Sequence, residues 1–103
     1  MKSIVSEQAK QEIRQAAKYI GKEFGKKRRD EFMQEIREAR RLIESNPGIG
    51  PVEPLLSDLP GMYRGYVMNR LNKLVYRVSG NTIYIADFWD VRRDPQSLSA
   101  QVR

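Results

Sequence analysis

Apolar residues return at helical spacing through the first half of the chain and at alternating spacing through the second. Ala9, Ile13, Ala16, Ile20 and Phe24 are separated by four, three, four and four residues, which makes one stripe along a helix of about five turns. Ser6 ahead of the stripe is a good N-cap, Glu7 sits where the helix dipole favours an acid, and Gly25 is placed to end the helix. Phe32, Ile36, Ala39 and Ile43 repeat the spacing, Met33 and Leu42 widen the stripe, and "NPGIGP" stops it. Two helices joined by so few residues fold back as an antiparallel hairpin. Neither stripe can stay wet, so both need a third element to cover them.

Residues 47–61 hold four of the five prolines and three glycines, which predicts a wrapping loop. From Tyr63 the period falls to two. In "YRGYVMNR", Arg64, Tyr66, Met68 and Arg70 share a face. In "KLVYRV", Leu74, Tyr76 and Val78 share one face and Lys73, Val75 and Arg77 the other. "SGN" is a turn, and "TIYIADFW", apolar on both faces, belongs in the sheet centre. "KSIV" supplies a short first strand. The predicted order is β-α-α-β-β-β, an α+β fold in one domain spanning residues 1–103. A helical hairpin covers one face of an antiparallel sheet, and the other face stays open.

Composition narrows the chemistry. The 103 residues include no cysteine and no histidine, which removes thiol and imidazole catalysis, disulfides and the common zinc sites. No cofactor or metal is expected. Asp87 and Asp90 lie amid arginines and read as ion-pair partners, not as a metal pair. The longest apolar run is "IYIA", and "MKSIVSEQAK" has no signal-peptide core. The expectation is a soluble, cytoplasmic protein with no membrane partner.

Charge changes the picture more. Nineteen basic and thirteen acidic residues leave a net charge of +6, which favours anionic partners. Residues 1–50 mix 12 basic with 8 acidic residues and read as ordinary solvated helix surface, the "KKRR" turn included. Residues 62–93 hold six basic residues and two acidic ones. If the helices cover Leu74, Tyr76 and Val78, then Lys73 and Arg77 point to the open face. With Arg64 and Arg70 on that side and Tyr66 among them, the predicted surface suits phosphate contact and base stacking. A charged face kept only for solubility is the competing explanation. Trp89, closing a strand, reads as core edge.

These residues together resemble a RelE/ParE-type toxin of a bacterial toxin–antitoxin module. The resemblance runs over nearly the whole chain, through "NPGIGPVEPL", "YRGY", "NKLVYRV" and "IYIADFWDVRRDP". It implies a curved sheet under the helical hairpin and an acidic cognate antitoxin that wraps the toxin with a helix and an extended segment. RelE-like members cut mRNA in the ribosomal A site, and ParE-like members poison DNA gyrase. Carried over by motif, the resemblance makes Arg64, Lys73, Arg93 and Tyr66 the catalytic candidates. Arg64, Lys73 and Arg93 would stabilise charge at phosphorus, while Lys73 or Tyr66 would move the proton. Arg70, Arg77 and Arg92 are the expected nucleic-acid contacts. The tyrosine that RelE-like sites carry near position 98 is absent from "SLSAQVR". The expected function is that of a toxin acting by ribosome-dependent mRNA cleavage. The alternatives are a gyrase inhibitor and a non-toxic basic nucleic-acid-binding relative.

Overall fold

The computed structural model describes residues 1–103. Strand β1 (Lys2–Val5) leads into helices α1 (Glu7–Phe24) and α2 (Lys26–Ser45). A 3-10 turn at Pro54–Leu56 follows, then strands β2 (Tyr63–Val67), β3 (Asn72–Ser79) and β4 (Thr82–Asp90), and helix α3 (Pro95–Val102). The predicted order of strand, two helices and three strands is present. Helix α3 is an addition to it: Pro95 occupies the first helical turn, where its missing N–H costs nothing.

Local chemistry sets the helix ends. Ser6 accepts a hydrogen bond from the Ala9 N–H at 3.0 Å and donates its hydroxyl to the Ala86 carbonyl at 2.7 Å. One residue therefore caps α1 and ties it to β4. Gly25 alone joins the two helices at φ +94°, a backbone that a side chain would strain.

The sheet order is β1-β4-β3-β2, so the doubly apolar β4 lies between two neighbours, as its sequence predicts. β1 runs parallel to β4, with Lys2 opposite Thr82 and Val5 opposite Ile85. The sheet is mixed rather than wholly antiparallel. The intervening hairpin and two strands are long enough for a crossover, which frees the direction of the first strand.

Between β3 and β4 the register slips. Tyr76 faces Ile85 but Val75 faces Asp87, leaving Ala86 as an extra residue. This bulge reverses the alternation along β4. Ile83, Ile85 and Phe88 all reach the helical side, where they join Leu74 and Tyr76 and meet Ala9, Ile13, Phe32, Ile36, Ala39 and Ile43 in the main core. Phe32 and Phe88 meet edge to face, 5.8 Å between centroids.

The opposite face is covered in part. Leu56, Val75, Trp89 and Leu98 form a second buried cluster beneath the 3-10 turn and α3. The open face expected from the sequence is corrected here, because α3 is not among the predicted elements and the wrapping loop brings Leu56 onto this side. Leu98 and Val102 give α3 an apolar side, and that side closes over Trp89. The apolar stripe of α1 also overruns its partner. Ile20 is half-buried and Phe24 is 66% exposed.

Candidate functional site

The residues expected to form one cationic surface are distributed over both faces of the sheet. Arg64 lies opposite Tyr76 and Tyr66 opposite Leu74, so both belong to the helical side. Tyr66 packs against the main core. The Arg64 guanidinium donates to the Gly50 carbonyl at 2.9 Å and approaches the Met62 sulfur at 3.6 Å. Lys73 lies opposite Val67 and Trp89, on the other face. Its ammonium is 2.7 Å from the Glu53 carboxylate and 5.8 Å from the Trp89 ring centroid. Glu53 is buried, and its second oxygen accepts the Leu55 N–H at 3.4 Å.

Arg77 shares the face of Lys73, and its guanidinium stacks on Tyr84 at 4.7 Å. Arg70 stands apart in the β2–β3 turn at φ +70°, with no acidic partner within reach. The shared face predicted for Arg64, Tyr66, Lys73 and Arg77 is therefore not formed. The turn after β2 sets Val67 against Lys73, and this register turns the arginine and tyrosine of β2 toward the helices.

Arg92 and Arg93 leave β4 at a third place. Arg92 forks onto Asp90, Nε to Oδ1 at 3.0 Å and Nη2 to Oδ2 at 2.9 Å. This fork holds the Asp90 carboxyl below the usual aspartate range. Arg93 reaches Glu12 of α1 at 3.7 Å. It also meets the Gln101 amide oxygen at 3.2 and 3.3 Å, in the orientation that turns the amide nitrogen to Asp87.

Asp87 is fully buried under α3. Its Oδ1 accepts the Phe88 N–H at 2.8 Å, and its Oδ2 accepts the Trp89 indole N–H at 2.9 Å and the Gln101 amide at 2.7 Å. Burial pushes its carboxyl up, and the bonds from Phe88 and Trp89 pull against that rise.

A groove of about 660 Å³ opens where α1 outruns the sheet. Tyr19, Ile20, Phe24 and Leu71 give it an apolar floor and wall, and Arg28, Arg92 and Arg93 stand around it beside Glu12 and Asp90, each arginine paired with an acid. The sequence held a signal for it. Ile20 and Phe24 extend the apolar stripe of α1 by a full turn, and "Tyr19" adds an aromatic beside them. Both aromatic residues, Tyr19 and Phe24, are well exposed. Such a cleft, apolar with a rim of ion pairs, takes an amphipathic segment more readily than a bare phosphate. No helix is long and apolar enough to cross a membrane.

A search of curated sequences finds no match. Among solved structures, a chain of the chromosomal ParDE toxin–antitoxin system from P. aeruginosa superposes with a TM-score of 0.71. It is 20% identical, and the match covers 87% of this chain and 95% of that one. The family profile described as the ParE toxin of the type II toxin–antitoxin system, parDE, matches residues 4–95. The chain belongs to the ParE family of type II toxin–antitoxin toxins.

Proposed function

We propose that this chain is a toxin that acts by binding DNA gyrase rather than by cutting mRNA, and that an acidic antitoxin neutralises it. The observation that carries the choice is the position of Lys73. A proton-transferring or phosphate-stabilising lysine needs an open ammonium, and this one is held by a buried carboxylate at 2.7 Å. Arg64 is committed to the Gly50 carbonyl, Tyr66 lies on the far face, and Arg93 belongs to the groove beside α1. RNA cleavage by the 2′-hydroxyl requires base, acid and charge stabilisation around one phosphate. Residues spread over three regions do not supply that. Gyrase inhibition needs a surface and no acid–base pair, and it is the activity that ParE-like resemblance implies.

The groove supports the antitoxin half of the proposal. Its apolar floor fits the apolar side of an amphipathic helix, and carboxylates on that helix would compete with Glu35, Asp90 and Glu12 for the rim arginines. The test is direct. Purified protein is added to a gyrase supercoiling reaction and, separately, to a defined translation reaction whose mRNA ends are mapped. Loss of supercoiling with intact mRNA is the expected result. New mRNA ends that appear only with ribosomes would overturn the choice and return Lys73 and Arg93 to the chemistry.

A further inference from the structure

The two helices of the hairpin carry their cations differently. On α2, Lys26, Arg28 and Arg29 have acids within reach, Lys26–Asp30 at 3.1 Å, Arg28–Glu35 at 3.1 Å and Arg29–Asp30 at 3.7 Å, and Lys27, Arg37 and Arg41, which form no ion pair, do not make one unbroken row. On α1, Lys10, Arg14, Lys18 and Lys22 follow one another at intervals of four, and all four are exposed. Only Lys10 has an acid, Glu7 at 3.5 Å. Arg14, Lys18 and Lys22 form no ion pair. Like charges four apart on a helix repel one another, so the row works against the helix that bears it and is not explained by folding.

The row winds slowly around the helix, each cation turned about 40° from the last. Four residues of helix rise about 6 Å, so the four cations span about 18 Å. They occupy the side of α1 turned away from Ala9, Ile13 and Ile20, with Gln11 and Gln15 exposed beside them. This side offers charge and hydrogen bonds but no apolar area. A peptide partner needs apolar anchors to hold. A nucleic-acid backbone needs only cations and polar donors along its path. Duplex DNA presents a negative charge about every 1.7 Å of axis, far denser than any acidic peptide.

We infer that the outer ridge of α1 is a docking surface for the phosphate backbone of duplex DNA, separate from the groove that receives the antitoxin. The inference stands apart from the choice of toxin target, because DNA binding is read without gyrase or ribosomes. The experiment is fluorescence anisotropy of a labelled 24-base-pair duplex against salt. The wild-type chain is compared with Arg14→Gln/Lys18→Gln/Lys22→Gln and with a control of equal charge on α2, Lys27→Gln/Arg37→Gln/Arg41→Gln.

Each lost phosphate contact flattens the plot of log affinity against log salt by about 0.9. The α1 variant is expected to lose about 2.7 of that slope and about tenfold or more in affinity at low salt. The α2 control is expected to lose much less. Equal losses in both variants would reduce the effect to net charge and overturn the inference. An unchanged slope in the α1 variant, or no binding of duplex by the wild type, would overturn it too. All six positions are exposed, and a circular dichroism melt confirms that both variants are folded before they are compared.

Discussion

Lys73 Nζ lies 2.7 Å from Glu53 Oε2, joining the third strand to the loop that covers its outer face. The carboxylate is 4% exposed, and the lysine side chain 22%. Removing the lysine strands a buried charge, whereas removing both residues strands no charge and frees only the weakly held Leu55 N–H. Lys73→Met is expected to cost about 2–3 kcal/mol and Lys73→Met/Glu53→Leu about 1 kcal/mol or less. A double-mutant cycle in guanidinium checks the pair. A single Lys73→Met variant within about 0.5 kcal/mol of wild type would show that the pair is too wet to matter.

Asp87 gives a pH signature of opposite sign to most carboxylates. Burial raises its folded pKa above the unfolded value, so between the two the native state holds more protons than the unfolded state. Stability from this group is present at acidic pH and is lost as pH rises through the folded pKa. Asp87→Asn has no such titration. Unfolding of both proteins at steps from about pH 4 to pH 7 should show wild type losing ground to the variant as pH rises. A gap that stays constant over that range would refute the shift.

Helix α3 lies over the sole tryptophan, and its far end is tied down by Arg103, whose guanidinium meets both Asp58 oxygens at 2.7 Å. Leu98→Ala opens the second core and is expected to cost about 2–3 kcal/mol. Asp58→Asn leaves that core intact and frees only the tether. It should raise acrylamide quenching of Trp89 while the global unfolding midpoint stays near wild type. Unchanged quenching in Asp58→Asn would mean that the helix is held without the Arg103–Asp58 pair, by its apolar side and the remaining Gln101 and Arg103 bonds.

The Tyr76 hydroxyl donates to the Pro47 carbonyl at 2.6 Å and accepts the Gly50 N–H at 3.1 Å, pinning the start of the Pro-rich loop. Tyr76→Phe leaves both backbone groups without that partner and is expected to cost about 2 kcal/mol. Amide exchange at Gly50 should accelerate in step. Gly50→Ala should also destabilise, because a Cβ there would stand 2.9 Å from the Gly65 backbone. Normal exchange at Gly50 in Tyr76→Phe would show that the loop is held elsewhere.

The helices and strands were legible because each has a single clear period. Ala9 and Ile13, or Phe32 and Ile36, announce their faces without help from distant residues. The faces of the sheet were not legible in the same way. The bulge at Ala86 reverses the alternation of β4, and nothing in "TIYIADFW" marks which residue is extra. The register of β2 on β3 places Arg64 beside Tyr76 instead of beside Arg77, and a slip of one residue reverses that outcome. The single cationic face expected for Arg64, Tyr66, Lys73 and Arg77 was missed on this point, since which way each residue faces depends on register. Helix α3 left a readable trace, a proline in its first turn and Leu98 with Val102 one turn apart, which charge and strand period overshadowed. Its partner Leu56 lies 42 residues away in sequence.

The parallel seam between the first and last strands sets the order in which the protein can become itself. Lys2–Val5 find their places only on Thr82–Ile85, and Ser6 bonds across 80 residues to Ala86. On a translating ribosome the opening strand waits unpaired until nearly all the message has been read. A chain released early lacks the strand that closes the sheet. Contacts this distant in sequence also slow folding.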